Sequence, residues 1–294
     1  MPVTDNTKAY LQLHGSVFLW GFTAILGKLI SVTALPLVWW RMGISAFCFF
    51  LLLKGFSFLK SIPSSVLYRV MLAGAIVTFH WLCFYGSIKY ANASVALVCL
   101  TTTALFTAIF EPLVFKKPFR KLEFAIAIVI IPSMALIVND LDFRMMFGVV
   151  LGILAAFGSG LFSVLNKKLL NDIDPIRMTA IELGSGFLLL SMVMPFIAFF
   201  DASTAILPSL QDFWYLLLLS VGCTVVPFTM SLYALQKLSA FTTVLAINLE
   251  PVYGIFMAWF ILQENKELHS SFYVGVSIIL TAVFLHPFLK QKFS

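Results

Sequence analysis

The sequence predicts an all-α integral membrane protein: ten transmembrane helices arranged as two inverted five-helix repeats, residues 1–144 and 145–294. Three observations carry this. Hydrophobic residues make up 61% of the chain and charged ones 11%, with a mean hydropathy of +1.01, more apolar surface than a water-soluble fold could cover. Apolar runs of about 20 residues, each able to cross a hydrocarbon core of about 30 Å as a helix, follow one another with short connections. The second half also repeats features of the first.

Charges, prolines and polar clusters mark the breaks. Segment 10–30 follows the polar amino-terminal residues, 36–53 opens at Pro36 and stops at Lys54, and 66–87 follows the Pro63 turn. Segment 93–115 ends at Lys116 and Lys117, and 122–138 lies between Lys121 and Asn139. In the second half, 146–166 runs from Arg144 to Lys167, 176–199 follows Pro175, and 212–235 ends before Lys237. Segments 240–262 and 271–289 complete the set. The first segment is too long for a signal-peptide core and contains Trp20 and Lys28, so it is expected to be retained. Cys48, Cys83, Cys99 and Cys223 all fall in apolar runs without metal or disulfide spacing and read as small buried hydrophobes.

The net charge of +6 is a topology signal rather than a nucleic-acid footprint. With the amino terminus in the cytoplasm, that side collects Lys8, Lys54, Lys60, Arg69, Lys116, Lys117, Arg120, Lys121, Lys167, Lys168, Arg177, Lys237, Lys290 and Lys292 of the nineteen Lys and Arg. The far side keeps Lys89, Arg144 and Lys266 and carries Asp140, Asp142, Asp201, Asp212, Glu264 and Glu267. Both termini are therefore expected in the cytoplasm of a plasma membrane, a bacterial inner membrane in particular.

Sliding the chain by 148 residues lays Tyr85–Phe106 on Tyr233–Gly254, matching Tyr85 with Tyr233, Lys89 with Lys237 and Leu97 with Leu245. A slide of 137 matches Gly15 with Gly152 and Gly21 with Gly158. Five spans per half is an odd number, so the second half enters the membrane inverted, as in secondary transporters. The stretches FYGSIKYANASVALV and LYALQKLSAFTTVLAINLEPVYGIFMAWFILQE, the latter ending at Glu264, resemble the EamA-type family of the drug/metabolite transporter superfamily. The resemblance covers essentially the whole chain. It implies a ten-helix secondary transporter of small organic metabolites, amino acids foremost, with export as the direction. The halves differ where Thr103 faces Pro251 and Lys116 faces Glu264.

At 1.5 Å per residue, Glu250 lies about 15 Å into its helix, near the bilayer midplane. Pro251 beside it removes an N–H from the helix ladder. Glu250 there can bind an ammonium group, carry a proton, or sit protonated within the bundle. Trp20, Thr102 and Thr103 share its level, as do Gly158, Thr224 and Pro227, with Thr102 the expected symmetry mate of Glu250. His80, Trp81 and Tyr85 offer a face for stacking, and Tyr253 completes the candidate cavity set. Asn248, about 200° round the helix from Glu250, is expected to face a neighbouring helix. His14, Glu111 and Glu182 form a layer of candidate gate or coupling residues, Glu182 with Arg177 as a possible mate. Lys28 and Arg41 are expected near the outer face, where Arg41 can snorkel or draw a carboxylate to the mouth. Gly148, Gly152, Ala156 and Gly160 form a stripe for close helix packing.

His14, His80, His269 and His286 are scattered, and no HExxH, GxSxG or P-loop occurs, which argues against a metalloenzyme, a serine hydrolase and an ATP-driven pump. No cofactor or metal is expected. The partners are a small-molecule substrate and the lipid bilayer; the sequence leaves the oligomeric state open and is compatible with a monomer. A proton-coupled exporter of cationic drugs and an intramembrane enzyme are the alternatives.

Overall fold

The computed structural model describes residues 5–119, single positions between 125 and 136, and residues 141–200, 205–266 and 269–293. Among these every regular element is helical. Eight helices are long and apolar enough to cross a membrane. They are α1 (Asp5–Leu29), α2 (Ala34–Leu52), α3 (Ser64–Tyr90), α4 (Ala93–Phe115), α5 (Met146–Leu169), α6 (Pro175–Phe200), α7 (Leu210–Lys237) and α8 (Ala240–Leu262). A further helix, α9, spans Ser270–Phe293. The expected helix at 122–138 lies largely outside the described residues, as do Arg120, Lys121, Asp140, Asp201, Glu267 and the side chains of His286, Lys290 and Lys292.

Local chemistry sets the helix starts. Asn92 accepts from Val95 N at 2.8 Å before α4, Ser209 from Asp212 N at 3.1 Å before α7, and Ser239 from Thr242 N at 3.0 Å before α8. Asp174 accepts from Ile176 N and Arg177 N, closing the first turn of α6 behind Pro175. At the far end of α2, Gly55 takes a φ of +99°, a conformation that favours glycine, and turns the chain away.

Three spans are not continuous α-helix. α4 breaks at Thr101 and Thr102, α8 breaks at Asn248 and Leu249, and α7 contains a π-helical stretch over Leu218–Val225. Pro251 and Pro227 explain two of these, since each lacks the N–H that would bond the carbonyl four residues earlier. The caps and breaks of α4 and α8 recur at a separation of 147, the spacing of Thr101 and Asn248, one less than the slide that aligns the sequences. In that register Thr103, not Thr102, corresponds to Glu250.

Packing runs mainly between the halves of the chain. α3 lies against α5 and α6, α2 against α6, α1 against α7 and α8, and α4 against α5 and α8. The glycine stripe of α5 makes the α3–α5 and α4–α5 seams possible. A Cβ on Gly148 would meet Ala91 Cβ at 2.6 Å and Ala91 N at 2.8 Å, and one on Gly152 would meet Cys99 Cβ at 2.6 Å.

Gly148→Ala and Gly152→Val should therefore each lower stability by about 1–3 kcal/mol through overpacking. Gly184, whose Cβ would meet nothing within 4 Å, provides the contrast. Gly184→Ala should unfold at the wild-type temperature or slightly above it in detergent melts.

Candidate functional site

The seam between the halves encloses a cavity of about 110 Å³ at the level of the helix breaks. Trp20 and Thr23 of α1, Arg41 of α2, His80 and Trp81 of α3, and Thr103 of α4 wall its centre, with Asn248, Glu250 and Pro251 of α8. From there the lining continues as Ser159, Ser163 and Asn166 along α5, Ser231 and Leu235 along α7, and Thr243 on α8. All of these lead toward the end of the bundle where α5 and α7 finish and α8 begins.

The opposite end is closed. Asp212 at the head of α7 accepts from Ser31 N at 2.7 Å and from Ser31 Oγ at 2.5 Å, tying the α1–α2 connection to α7. Lys89 donates to the carbonyl of Ile30. Glu264, 2% exposed just past α8, accepts from Ala93 N at 3.0 Å, Ser94 N at 2.9 Å and Ser94 Oγ at 2.5 Å, so it caps α4. Glu111 on α4 returns the arrangement by accepting from Phe241 N at 2.8 Å in the first turn of α8. An acid at a helix amino terminus meets both the unpaired amides and the positive end of the helix dipole.

Arg41 is the main correction to the sequence reading. It does not snorkel to a face: it is 2% exposed and lies at the centre of the bundle. Its Nε donates to Thr224 Oγ1 at 2.8 Å, Nη1 to Tyr85 Oη at 2.6 Å, and Nη2 to the carbonyl of Cys223 at 3.3 Å. That carbonyl is available because Pro227, four residues on, has no N–H to offer it. The guanidinium carbon also stands 3.8 Å from the Trp81 ring centroid, a cation–π contact. A guanidinium has five N–H donors, so the fork keeps donors for a ligand.

Glu250 is 7% exposed, with its Oε1 3.4 Å from Thr23 Oγ1, whose hydroxyl donates to the Trp20 carbonyl at 2.6 Å. It is not ion-paired with Arg41; among the described residues the only ion pair is Arg69 with Asp172 at 3.0 Å. The cavity thus presents a cation and a carboxyl that are not in direct contact. His80 completes the wall: its Nδ1 faces the Ala155 carbonyl at 2.8 Å, so that nitrogen carries the proton and Nε2 remains an acceptor.

The other expected residues divide. Trp20, His80, Trp81, Thr103 and Glu250 line the cavity, and Asn248 joins them while donating to Thr101 O at 3.3 Å. Asn248 thus meets the neighbouring α4 as expected, and it also reaches the cavity because the helix is interrupted there and restarts at Glu250. Tyr85 is fully buried behind the cavity, holding Arg41 rather than facing a ligand. Thr102 spends its hydroxyl on Cys99 O and lies outside the lining. Tyr253 turns outward, edge-on to Phe18, and His14 is exposed on α1. Glu111 is a helix cap. Glu182 is fully buried and not paired with Arg177, which reaches Ser61 Oγ instead. Asn166, Ser159, Ser163, Ser231 and Thr243 escaped the sequence reading, although Ser159, Ser163 and Asn166 recur at helical spacing.

A bundle of apolar helices around a polar pocket is the build expected of a membrane transporter, and the comparisons supply the family. The EamA-like transporter family model matches residues 7–139 and again 146–287. The chain belongs to that family. It is similar to an uncharacterized transporter of Archaeoglobus fulgidus, 24% identical over 95% of this chain and 97% of the relative. It also resembles the uncharacterized transporter YoaV of Bacillus subtilis, 28% identical over 52% of this chain and 51% of the relative. A crystal structure with 13% identity superposes with a TM-score of 0.71 over 96% of this chain and 98% of the other, a likeness of fold.

The caps give a measurable contrast. Glu264→Ala removes the acceptor of two backbone amides and Glu111→Ala that of one. At about 1–3 kcal/mol for each amide left unsatisfied, Glu264→Ala should be the more destabilised of the two in denaturant or thermal unfolding.

Proposed function

We propose that the protein is a secondary transporter of small organic zwitterions, amino acids foremost, and that it exports them by alternating access around the Arg41–Glu250 cavity. One observation carries the substrate class: two buried side chains of opposite charge type face the same cavity without pairing. A carboxylate suits the free donors of the Arg41 fork, and an ammonium suits Glu250. Binding such a molecule would supply each group with the partner it lacks, and burial makes that exchange count. Ser159, Ser163, Ser231 and Thr243 offer a polar path toward the basic end of the bundle, the cytoplasmic end by the charge bias. A cavity reaching that way suits loading from the cytoplasm. The alternation itself is read as rocking of two inverted repeats, 1–144 and 145–294, about the seam. The double family match and the recurring caps of α4 and α8 support that reading. A cationic-drug carrier is disfavoured because Arg41 would repel a cation in the same pocket.

The test is flux in proteoliposomes against a panel of amino acids, their decarboxylated amines and their N-acetylated acids. Wild type should move the zwitterions in preference to either singly charged series. Arg41→Gln and Glu250→Gln should each weaken apparent affinity on the order of a hundredfold, the scale of losing one partner of a buried charge pair. Preferential movement of the amines would turn the reading toward cationic substrates, and flux of none would sink it.

A further inference from the structure

One polar cluster beside the cavity has no structural account. Glu182 of α6 is 0% exposed, and neither of its carboxyl oxygens has a hydrogen-bond partner. Asn166 of α5 is also 0% exposed with both amide atoms unpartnered. The amide lies beside the carboxyl and is itself part of the cavity lining. On the α3 side the helices are tightly packed: a Cβ on Gly74 would meet the Glu182 carbonyl at 2.5 Å, so the two backbones are in direct contact.

The charged groups on the packed helices are engaged elsewhere. Arg41 of α2 is turned to Thr224, Tyr85 and Cys223; His80 of α3 to Ala155; and Arg69 of α3 to Asp172. Lys167, next to Asn166 on α5, reaches the carbonyls of Leu235 and Gln236, while Lys237 of α7 stands at the helix end. None of them faces Glu182. An ionised carboxylate without a counter-charge is costly to bury even where the Asn166 amide N–H can donate to it, whereas the neutral acid needs only an acceptor for its hydroxyl. Asn166 Oδ1 is such an acceptor. Two carboxyl oxygens and one amide oxygen fall short of the oxygen shell a metal cation requires, and no cluster of three or more acidic, His or Cys ligands occurs among the described residues.

We propose that Glu182 and Asn166 form a proton-binding site in the wall of the cavity. Glu182 holds the proton, and Asn166 is the side chain through which it meets cavity water. On release the carboxyl O–H bond breaks, the proton passes to water in the cavity, and a carboxylate remains; uptake reverses this. Resting on the transport reading above, this is where a proton gradient acts on substrate movement.

Infrared difference spectroscopy of the purified full-length protein in lipid bilayers, stepped from acid to alkaline pH and exchanged into D2O, tests the site without any substrate. Wild type should show a protonated-carboxyl band that E182Q lacks. In N166L that band should remain but exchange deuterium more slowly. A carboxyl band identical in wild type and E182Q, or exchange in N166L at the wild-type rate, overturns the site. In proteoliposomes a pH gradient should change amino-acid flux by wild type, while E182Q should keep flux driven by the amino-acid gradient and lose the pH response. An unchanged pH response in E182Q overturns the coupling. Absence of amino-acid flux in wild type overturns the transport reading and the coupling built on it, while the infrared result still decides the site. Size-exclusion profiles and helical circular dichroism establish that both variants are folded.

Discussion

The crossing of α4 and α8 at their breaks is the constraint on which the site depends. A helix interrupted at mid-depth frees backbone groups that lipid cannot satisfy, so such a break survives only where protein encloses it. Thr101 is 1% exposed and Asn248 2%, and the amide of Asn248 donates to the Thr101 carbonyl, so each break is part of the other's solution. The ends are held in the same reciprocal way, with Glu264 at the start of α4 and Glu111 at the start of α8. Two broken helices locked in this manner leave a gap between their half-helices, and the cavity occupies it.

Arg41 is sustained by a second broken ladder. Pro227 leaves the Cys223 carbonyl without its helical donor, and the widened turn before it brings Thr224 Oγ1 to the same guanidinium. Tyr85 and the Trp81 face supply the remaining solvation. A lysine would be a poor substitute, because a point charge cannot serve three separated acceptors and lie over a ring together. The environment therefore holds the guanidinium in place with three hydrogen bonds and a ring face, leaving a preorganised fork at the cavity wall.

Much of this architecture was legible in the sequence, and the limits have physical causes. The spans are marked by apolar length and by charges at their ends, signals that survive without tertiary information. The Glu250–Pro251 break was visible because proline acts locally. Arg41, Thr102 and Tyr253 were misplaced because counting residues gives depth along a helix, not the direction a side chain takes around it. Arg41 needed more than depth: its burial depends on α7 acceptors far away in sequence, freed at a π-helical stretch that Pro227 marks without indicating which side chain would reach it. Asn248 packs against α4 as expected, and its added place in the cavity wall was not foreseen because a regular 100° step was assumed through a residue where the helix is interrupted.

The reciprocal caps are unequal, and the inequality agrees with the shape of the cavity. Glu264 is buried and accepts three hydrogen bonds at one end of the α4–α8 pair, where Asp212 and Lys89 add further ties between helices. Glu111 is half-buried and accepts a single bond from α8 at the other end, the end toward which the cavity runs. The Glu264 end of the pair is therefore held more tightly than the Glu111 end, and parting α4 from α8 there means breaking three hydrogen bonds rather than one. Each amide or hydroxyl so exposed would need a new acceptor, which a closed seam does not readily supply.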